Sequence, residues 1–252
     1  MGGSLAIGAR IIAMSCLEVL PVRTAGAAEN MAVDFLLLQR YPRSGVARMR
    51  HYEWRRPAFT FGYSQKIAWV REQLPAGEHF DLCRRPTGGG IVDHRDDWTY
   101  SVVIPRGHPL EEDRAIQSYR AIHDCVAGSL CFQGVPAGLQ PAGAPEPGES
   151  GAPGICFQRP ELYDVVHSQT GAKIAGAAQK RNAHGLLFQG SIARAATGPA
   201  PVDWDVFFGN FAARLASALG CTAEDRPWPE LDEDEVSGLV DRYSSAEWIE
   251  FR

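Results

Sequence analysis

Apolar residues recur with helical period over Ala27–Gln39, where Met31, Phe35 and Leu38 share one face. They do so again over Glu111–Phe132, where Ile116, Tyr119, Ile122, Val126 and Leu130 form a stripe. Trp204–Leu219, a shorter Asp232–Tyr243 and a short Ile67–Gln73 complete the predicted helices. Strands are predicted over Leu17–Val22, Arg48–Trp54, Ala58–Gly62, Phe80–Arg84, Leu162–His167, Ala172–Ala177 and Leu186–Ile192. Ile91–His94 and Thr99–Ile104 read as a hairpin across Arg95–Trp98, with Pro105, Gly107 and Pro109 breaking the structure after it. Strands in runs with flanking helices predict an α/β (α+β) domain with a central mixed or mainly antiparallel sheet, not a βαβ series.

With 252 residues and a formal net charge of −5, the chain is long enough to bury a sizeable core and gives no sign of a nucleic-acid or membrane-surface partner. No stretch approaches the ~18 apolar residues of a membrane-spanning helix. Six cysteines occur without a CxxC pair or zinc-type spacing, so no metal site is expected and a reducing cytoplasmic setting fits best. Residues 1–15 read as an N-terminal extension: Arg10 interrupts their apolar run and no basic start precedes it, which argues against a signal peptide ending at Cys16. Residues 16–220 form the expected domain, with a flexible Pro/Gly/Ala-rich loop at 140–154, and 221–252 a helical tail whose acidic stretch Glu230–Glu235 reads as a solvated helix start.

The densest chemistry lies in Arg84-Arg85-Pro86-Thr87-Gly88-Gly89-Gly90-Ile91-Val92-Asp93-His94. Three consecutive glycines let backbone N–H groups approach a ligand, and the preceding guanidinium groups suit an anion or acyl phosphate. The run is neither a P-loop nor a Rossmann fingerprint, and three glycines alone are often only a tight turn. Lys173-Ile174-Ala175-Gly176-Ala177-Ala178-Gln179 puts a lysine ahead of small side chains that leave room for a ligand; the plainer alternative is a surface strand with a solvated lysine. Cys156-Phe157 follows the loop. A thiol there is a nucleophile if a cation favours its thiolate, and otherwise one more packed cysteine.

Taken in order, these stretches resemble the lipoate-protein ligase and octanoyltransferase family, which is related to biotin-protein ligases. Arg84–Tyr100 is similar to its RRxTGGGxVxHxxxxTYS element, Lys173–Gln179 to its K[IV]xGxAQ element, and Gly185–Ile192 to its strand ending in HGS or QGS. Ala28–Asp34 resembles its opening helix, and Arg50–Gln65, with Trp54, Gly62 and Gln65, its strand pair. The resemblance implies a biotin/lipoyl protein ligase-like catalytic domain with an acyl chain under the glycine loop. Arg85, Thr87, Gly88, Gly89, Gly90, Ile91, Val92, His94, Tyr100, Gly176, Ala178 and Gly190 are the implied binding residues.

The context of Cys156 resembles that of the cysteine-dependent octanoyltransferases. It implies that Cys156 takes octanoyl from acyl carrier protein as a thioester, aided by Lys173, and that no cofactor is needed. Backbone N–H groups near Gly88–Gly90 would stabilise the oxyanion, and His94 would shape the pocket. The implied acceptor is a lysine of a lipoyl-domain protein, such as glycine cleavage H protein or a 2-oxoacid dehydrogenase E2. Two alternatives stay open: a lipoate ligase using ATP and Mg2+, with Arg85 on a phosphate, and a non-catalytic acyl- or lipoyl-binding protein. The second is suggested by Phe188-Gln189, where many members carry a histidine; Ala177 likewise stands where serine is common.

Overall fold

The computed structural model describes residues 14–142 and 159–251. In chain order the elements are β1 (Cys16–Ala25), α1 (Ala27–Gln39), β2 (Val46–Trp54), β3 (Ala58–Phe61), α2 (Ile67–Gln73), β4 (Asp81–Arg84), β5 (Val92–Asp93) and β6 (Asp97–Pro105). There follow α3 (Pro109–Glu112), α4 (Ala115–Phe132), β7 (Ala137–Leu139), β8 (Val165–His167), β9 (Lys173–Asn182), β10 (Gly185–Ala193), α5 (Trp204–Ala218), β11 (Thr222–Asp225), α6 (Glu233–Ser244) and α7 (Ala246–Glu250).

Eight strands form one mixed sheet in the order β11-β1-β2-β6-β10-β9-β8-β7. β1 pairs parallel with both β11 and β2, and every pairing from β2 to β7 is antiparallel. Alternation along the strands divides the side chains between two faces. Trp98, Tyr100, Val102, Ile104, Leu186, Phe188 and Ile192 point into a core shared with α4 and α5, through Ile122, Val126, Leu130, Phe207, Phe211 and Leu215. Val103 and Leu187 meet Val33, Leu37 and Leu38 of α1 on the other face. A second sheet, β4-β3-β5, carries the glycine loop and packs on α2 through Phe59, Phe61, Ile67, Val70 and Ile91.

The mixed, mainly antiparallel sheet flanked by helices is the predicted architecture. Two local expectations are corrected. The Ile91–His94 and Thr99–Ile104 segments do not form a hairpin: β5 pairs with β3, whereas β6 enters the large sheet between β2 and β10. Trp98 is 1% exposed, so the presumed turn is where the chain dives from one sheet into the core of the other. The helix predicted over Glu111–Phe132 is broken, because Asp113 takes an extended conformation between α3 and α4. Ile116, just past the break, is exposed rather than part of the buried stripe.

Residues 221–251 are stitched into the domain. β11 extends the sheet beside β1, and Tyr243 of α6 joins the cluster around Met31 and Tyr52. The acidic start of α6 is solvated as expected, with the Asp232 carboxylate capping Glu235 N–H.

Candidate functional site

The cavity that gathers most of the candidate residues has a volume of about 290 Å³ and chiefly apolar walls. It lies on the α1 side of the large sheet, roofed by the β4–β5 glycine loop. Arg85, Gly89, Gly90, Val92, His94, Lys173, Gly176, Ala178 and Gly190 all line it, so three motifs far apart in sequence converge. Met31, Tyr52, Thr60, Thr99, Tyr119, Arg159, Glu161 and Asp164, which no sequence motif marks as pocket residues, line it as well, together with Ala177, Gln189 and Ser191 from the two strand stretches.

The arginine pair behaves differently from a simple anion cradle. Arg84 is fully buried and donates to the carbonyls of Tyr63, Gln65, Trp248 and Ile249. Arg85 donates to Thr60 Oγ1 at 2.8 Å and to the Gly88 and Gly90 carbonyls at 2.9 Å. Its planar fork thus ties the loop into shape from within. Gly89 completes the turn with φ +88°, a conformation glycine adopts without strain.

Four expected binding residues lie off the cavity wall. Thr87 is buried and donates to Gln189 Oε1 at 2.7 Å; Gly88 supplies a carbonyl to Arg85. Ile91 turns into the small-sheet core. Tyr100 sits on the opposite face of the large sheet, against Phe211, because strand alternation sends it there. Its ring accounts for Gly190 on the paired strand: a Cβ at 190 would lie 2.2 Å from the Tyr100 ring.

His94 closes one end of the pocket. Nδ1 is 2.7 Å from Asp97 Oδ2, Nε2 is 2.7 Å from Thr60 Oγ1, and the ring stacks on Trp54 at 4.1 Å. An Nδ1–H tautomer satisfies this network, with the Thr60 hydroxyl donating to Nε2. Burial alone would raise the Asp97 carboxyl. Contact with His94 and hydrogen bonds from His94, Ser191 and Thr99 outweigh it and hold the group below the usual carboxylate range. His94 is a wall residue in a fixed network.

Lys173 is not a solvated surface lysine. It is 8% exposed, and its Nζ lies 2.6 Å from Oδ2 of the fully buried Asp164. Asp164 also accepts from the Tyr119 hydroxyl and from Glu161 N–H, while the Tyr119 oxygen accepts from Ala177 N–H at 3.0 Å. The lysine stem passes over Gly176, where a Cβ would come within 2.7 Å of Cε. The small-residue strand therefore makes room for the lysine as well as for a ligand. Tyr163, just before Asp164, has φ +65°. This strained conformation for a non-glycine residue is held by Tyr163 N–H to the Gln140 carbonyl and by His123 Nδ1 at 2.8 Å from the Tyr163 carbonyl.

Burial lowers the His123 imidazole to about 4. In the unfolded chain an imidazole titrates near 6.5, so below that pH the unfolded state binds a proton that the folded state refuses. Stability should therefore fall as pH drops from about 6.5 to about 4, with His123 contributing on the order of 3 kcal/mol across that window. Denaturant midpoints between pH 7 and 4.5 check this: His123→Gln should show a shallower acid slope than the native chain.

Gln189 belongs to the Phe188-Gln189 stretch, in or beside which a histidine is common in the family that the sequence resembles. Its Nε2 donates to Asp34 Oδ2 at 2.7 Å, and its Oε1 accepts from Thr87. Asp34 is fully buried and is also bound by Arg50 Nε at 2.7 Å and Ser101 Oγ at 2.6 Å. The amide, which donates and accepts at once, bridges the glycine loop to this buried ion pair, as a carboxylate or an aliphatic residue cannot. Gln189→Leu should strand both neighbours and cost about 2 kcal/mol in denaturant unfolding.

Cys156 and nearly all of the loop expected at 140–154 lie outside the described residues. Asp164 could have been suspected as a lone carboxylate in the apolar run Tyr163–Val166, and Gln189 from its place in a pocket strand. Among the described residues no group of three or more His, Cys, Asp or Glu side chains is arranged to hold a metal ion, and no helix is long and apolar enough to cross a membrane.

Residues 26–197 match the model of the lipoyl protein ligase A/B catalytic domain. The octanoyltransferase LipM of Oceanobacillus iheyensis is 34% identical over 168 residues, covering 66% of this chain and 59% of the relative. That of Symbiobacterium thermophilum is 30% identical over 259 residues, covering 87% of this chain and 93% of the relative. The chain thus spans about three-fifths of the length of the first curated relatives it matches. Among solved structures, a lipoate protein ligase from Thermoplasma acidophilum with bound lipoic acid superposes with a TM-score of 0.71 at 19% identity, covering 95% of this chain and all of that one. Lipoate-protein ligase A bound with ATP gives 0.68 at 18%, covering 94% and 98%. These two likenesses concern the fold.

Proposed function

The chain belongs to the lipoyl protein ligase A/B catalytic domain family, and on that footing we propose that it is an octanoyltransferase acting in protein lipoylation. It takes octanoyl from acyl carrier protein onto Cys156 and passes it to a lysine of a lipoyl domain. The observation that carries this reading is Lys173, a buried lysine held by Asp164 at the small-residue wall of an apolar pocket. The relatives named octanoyltransferase LipM support it. The role of Cys156 rests on the resemblance of its sequence context.

In the first step the Cys156 thiolate attacks the thioester carbonyl carbon. The carbonyl oxygen takes up negative charge, which the Lys173 ammonium stabilises. The C–S bond to the carrier breaks, and the carrier thiolate leaves and takes up a proton. In the second step the neutral acceptor amine attacks the acyl-enzyme, expels the Cys156 thiolate and loses a proton, giving the amide. The donor thioester is already activated, so the reaction consumes no ATP.

The non-catalytic alternative drew on Phe188-Gln189 alone. With Gln189 serving as a bridge between Thr87 and Asp34, that position gives no ground for lost turnover. The direct test is to mix the protein with octanoyl acyl carrier protein and an unmodified lipoyl domain, without ATP. Octanoylated lipoyl domain is expected. Failure there, together with lipoate-dependent pyrophosphate release from ATP, would replace the transferase with a ligase.

A further inference from the structure

The last helix lies outside the residues matched by the family model, yet it is bonded to the base of the glycine loop. Arg84 is the junction. Its Nη1 donates to the Tyr63 and Gln65 carbonyls at 2.8 and 2.7 Å, its Nε to Trp248 at 3.1 Å, and its Nη2 to Ile249 at 2.7 Å. Trp248 answers with Nε1–H on the Arg84 carbonyl at 2.9 Å. The guanidinium is sandwiched between the rings of Phe61 and Phe251, 4.6 and 4.3 Å from their centroids. Tyr63 contacts the rings of Trp248 and Phe251 at 5.8 and 5.1 Å.

The turn that Arg84 holds at Tyr63 and Gln65 is the surface on which the glycine loop rests. Tyr63 N–H donates to the Thr87 carbonyl at 2.9 Å, and Gln65 Nε2 to the Gly89 carbonyl at 3.3 Å. The approach at Gly62 is so close that a Cβ there would stand 1.9 Å from the Gly89 oxygen. One uninterrupted series of contacts therefore runs from α7 through Arg84 and the 62–65 turn to Gly89, which lines the pocket.

We propose that Arg84 and Trp248 are positioning residues: α7 is a latch that fixes, through Arg84, the height of the glycine loop over the acyl chain. The catalytic consequence rests on the octanoyltransferase reading; the mechanical one does not. Loss of the latch raises the donor concentration needed for half-maximal rate, because the roof of the pocket must be ordered on binding, while Lys173 and Asp164 on the far wall are untouched.

Trp248 is the residue to change, since it is half-buried at the edge of the domain, whereas Arg84 is wholly buried. Trp248→Ala removes ring and donor, and Trp248→Phe keeps a ring and removes the Nε1–H. Hydrogen exchange in the full-length protein is read for peptides over residues 62–65 and 85–90, with 173–193 as the reference. Trp248→Ala should speed exchange in the first two segments about tenfold and leave the third unchanged, with Trp248→Phe between the two. Donor KM should rise about tenfold with kcat within about twofold. Unchanged exchange at 85–90, equal acceleration at 173–193, or a fall in kcat at constant KM would each overturn the latch. If the native chain transfers no octanoyl at all, the functional reading fails while the exchange result still judges the latch.

Discussion

Lys173→Met should lower octanoyl transfer by about two orders of magnitude and also destabilise the fold by about 3–5 kcal/mol, two effects with separate causes. The first is loss of the cation that, in the proposed mechanism, meets the developing oxyanion. The second arises because Asp164 is fully buried and, among the described residues, would keep the Tyr119 hydroxyl and Glu161 N–H as partners but not the Lys173 ammonium. Removing one partner of such a pair is far more costly than removing both. The double variant Lys173→Met/Asp164→Asn should therefore regain most of the stability and none of the activity. Steady-state kinetics beside denaturant melts of the three proteins measure this. A single variant that loses stability but transfers at the native rate would reduce Lys173 to a packing role.

Cys156→Ala should abolish transfer, a fall on the order of 10³-fold or more, because no second thiol can take its place. None of the five described cysteines lines the pocket. Burial pushes the Cys83 thiol up to about 12 and that of Cys125 up to about 11, so neither supplies a thiolate at neutral pH. Cys221 is raised in the same direction by burial. The check is the rate of octanoyl appearance on a lipoyl domain with native and variant enzyme at equal concentration. Transfer by the variant at a tenth of the native rate or more would remove Cys156 from the mechanism.

What the sequence discloses and what it withholds follow from the range of the interactions. The helices Ala27–Gln39 and Ile67–Gln73 have the predicted bounds, since periodicity and flanking breakers are local signals. The three motif stretches converge on one pocket because their small and charged residues are placed for it within each element. The fate of Arg84 was not legible, because four of its acceptors lie in segments about 20 and 165 residues away. The same holds for Asp164, whose burial depends on Lys173 and Tyr119, and for Gln189, whose value lies in touching Thr87 and Asp34 together. The mistaken hairpin has a like cause: Asp93 and Thr99 are near in sequence, but their partners, Phe59 and Tyr52, belong to different sheets.

The central claim is a covalent octanoyl-enzyme on Cys156, and intact-mass measurement addresses it most directly. Native protein mixed with octanoyl acyl carrier protein, without ATP, should gain one octanoyl group, found on the peptide carrying Cys156 and discharged when an unmodified lipoyl domain is added. An unmodified enzyme under conditions where the lipoyl domain becomes octanoylated, or an adduct on another residue, would contradict it.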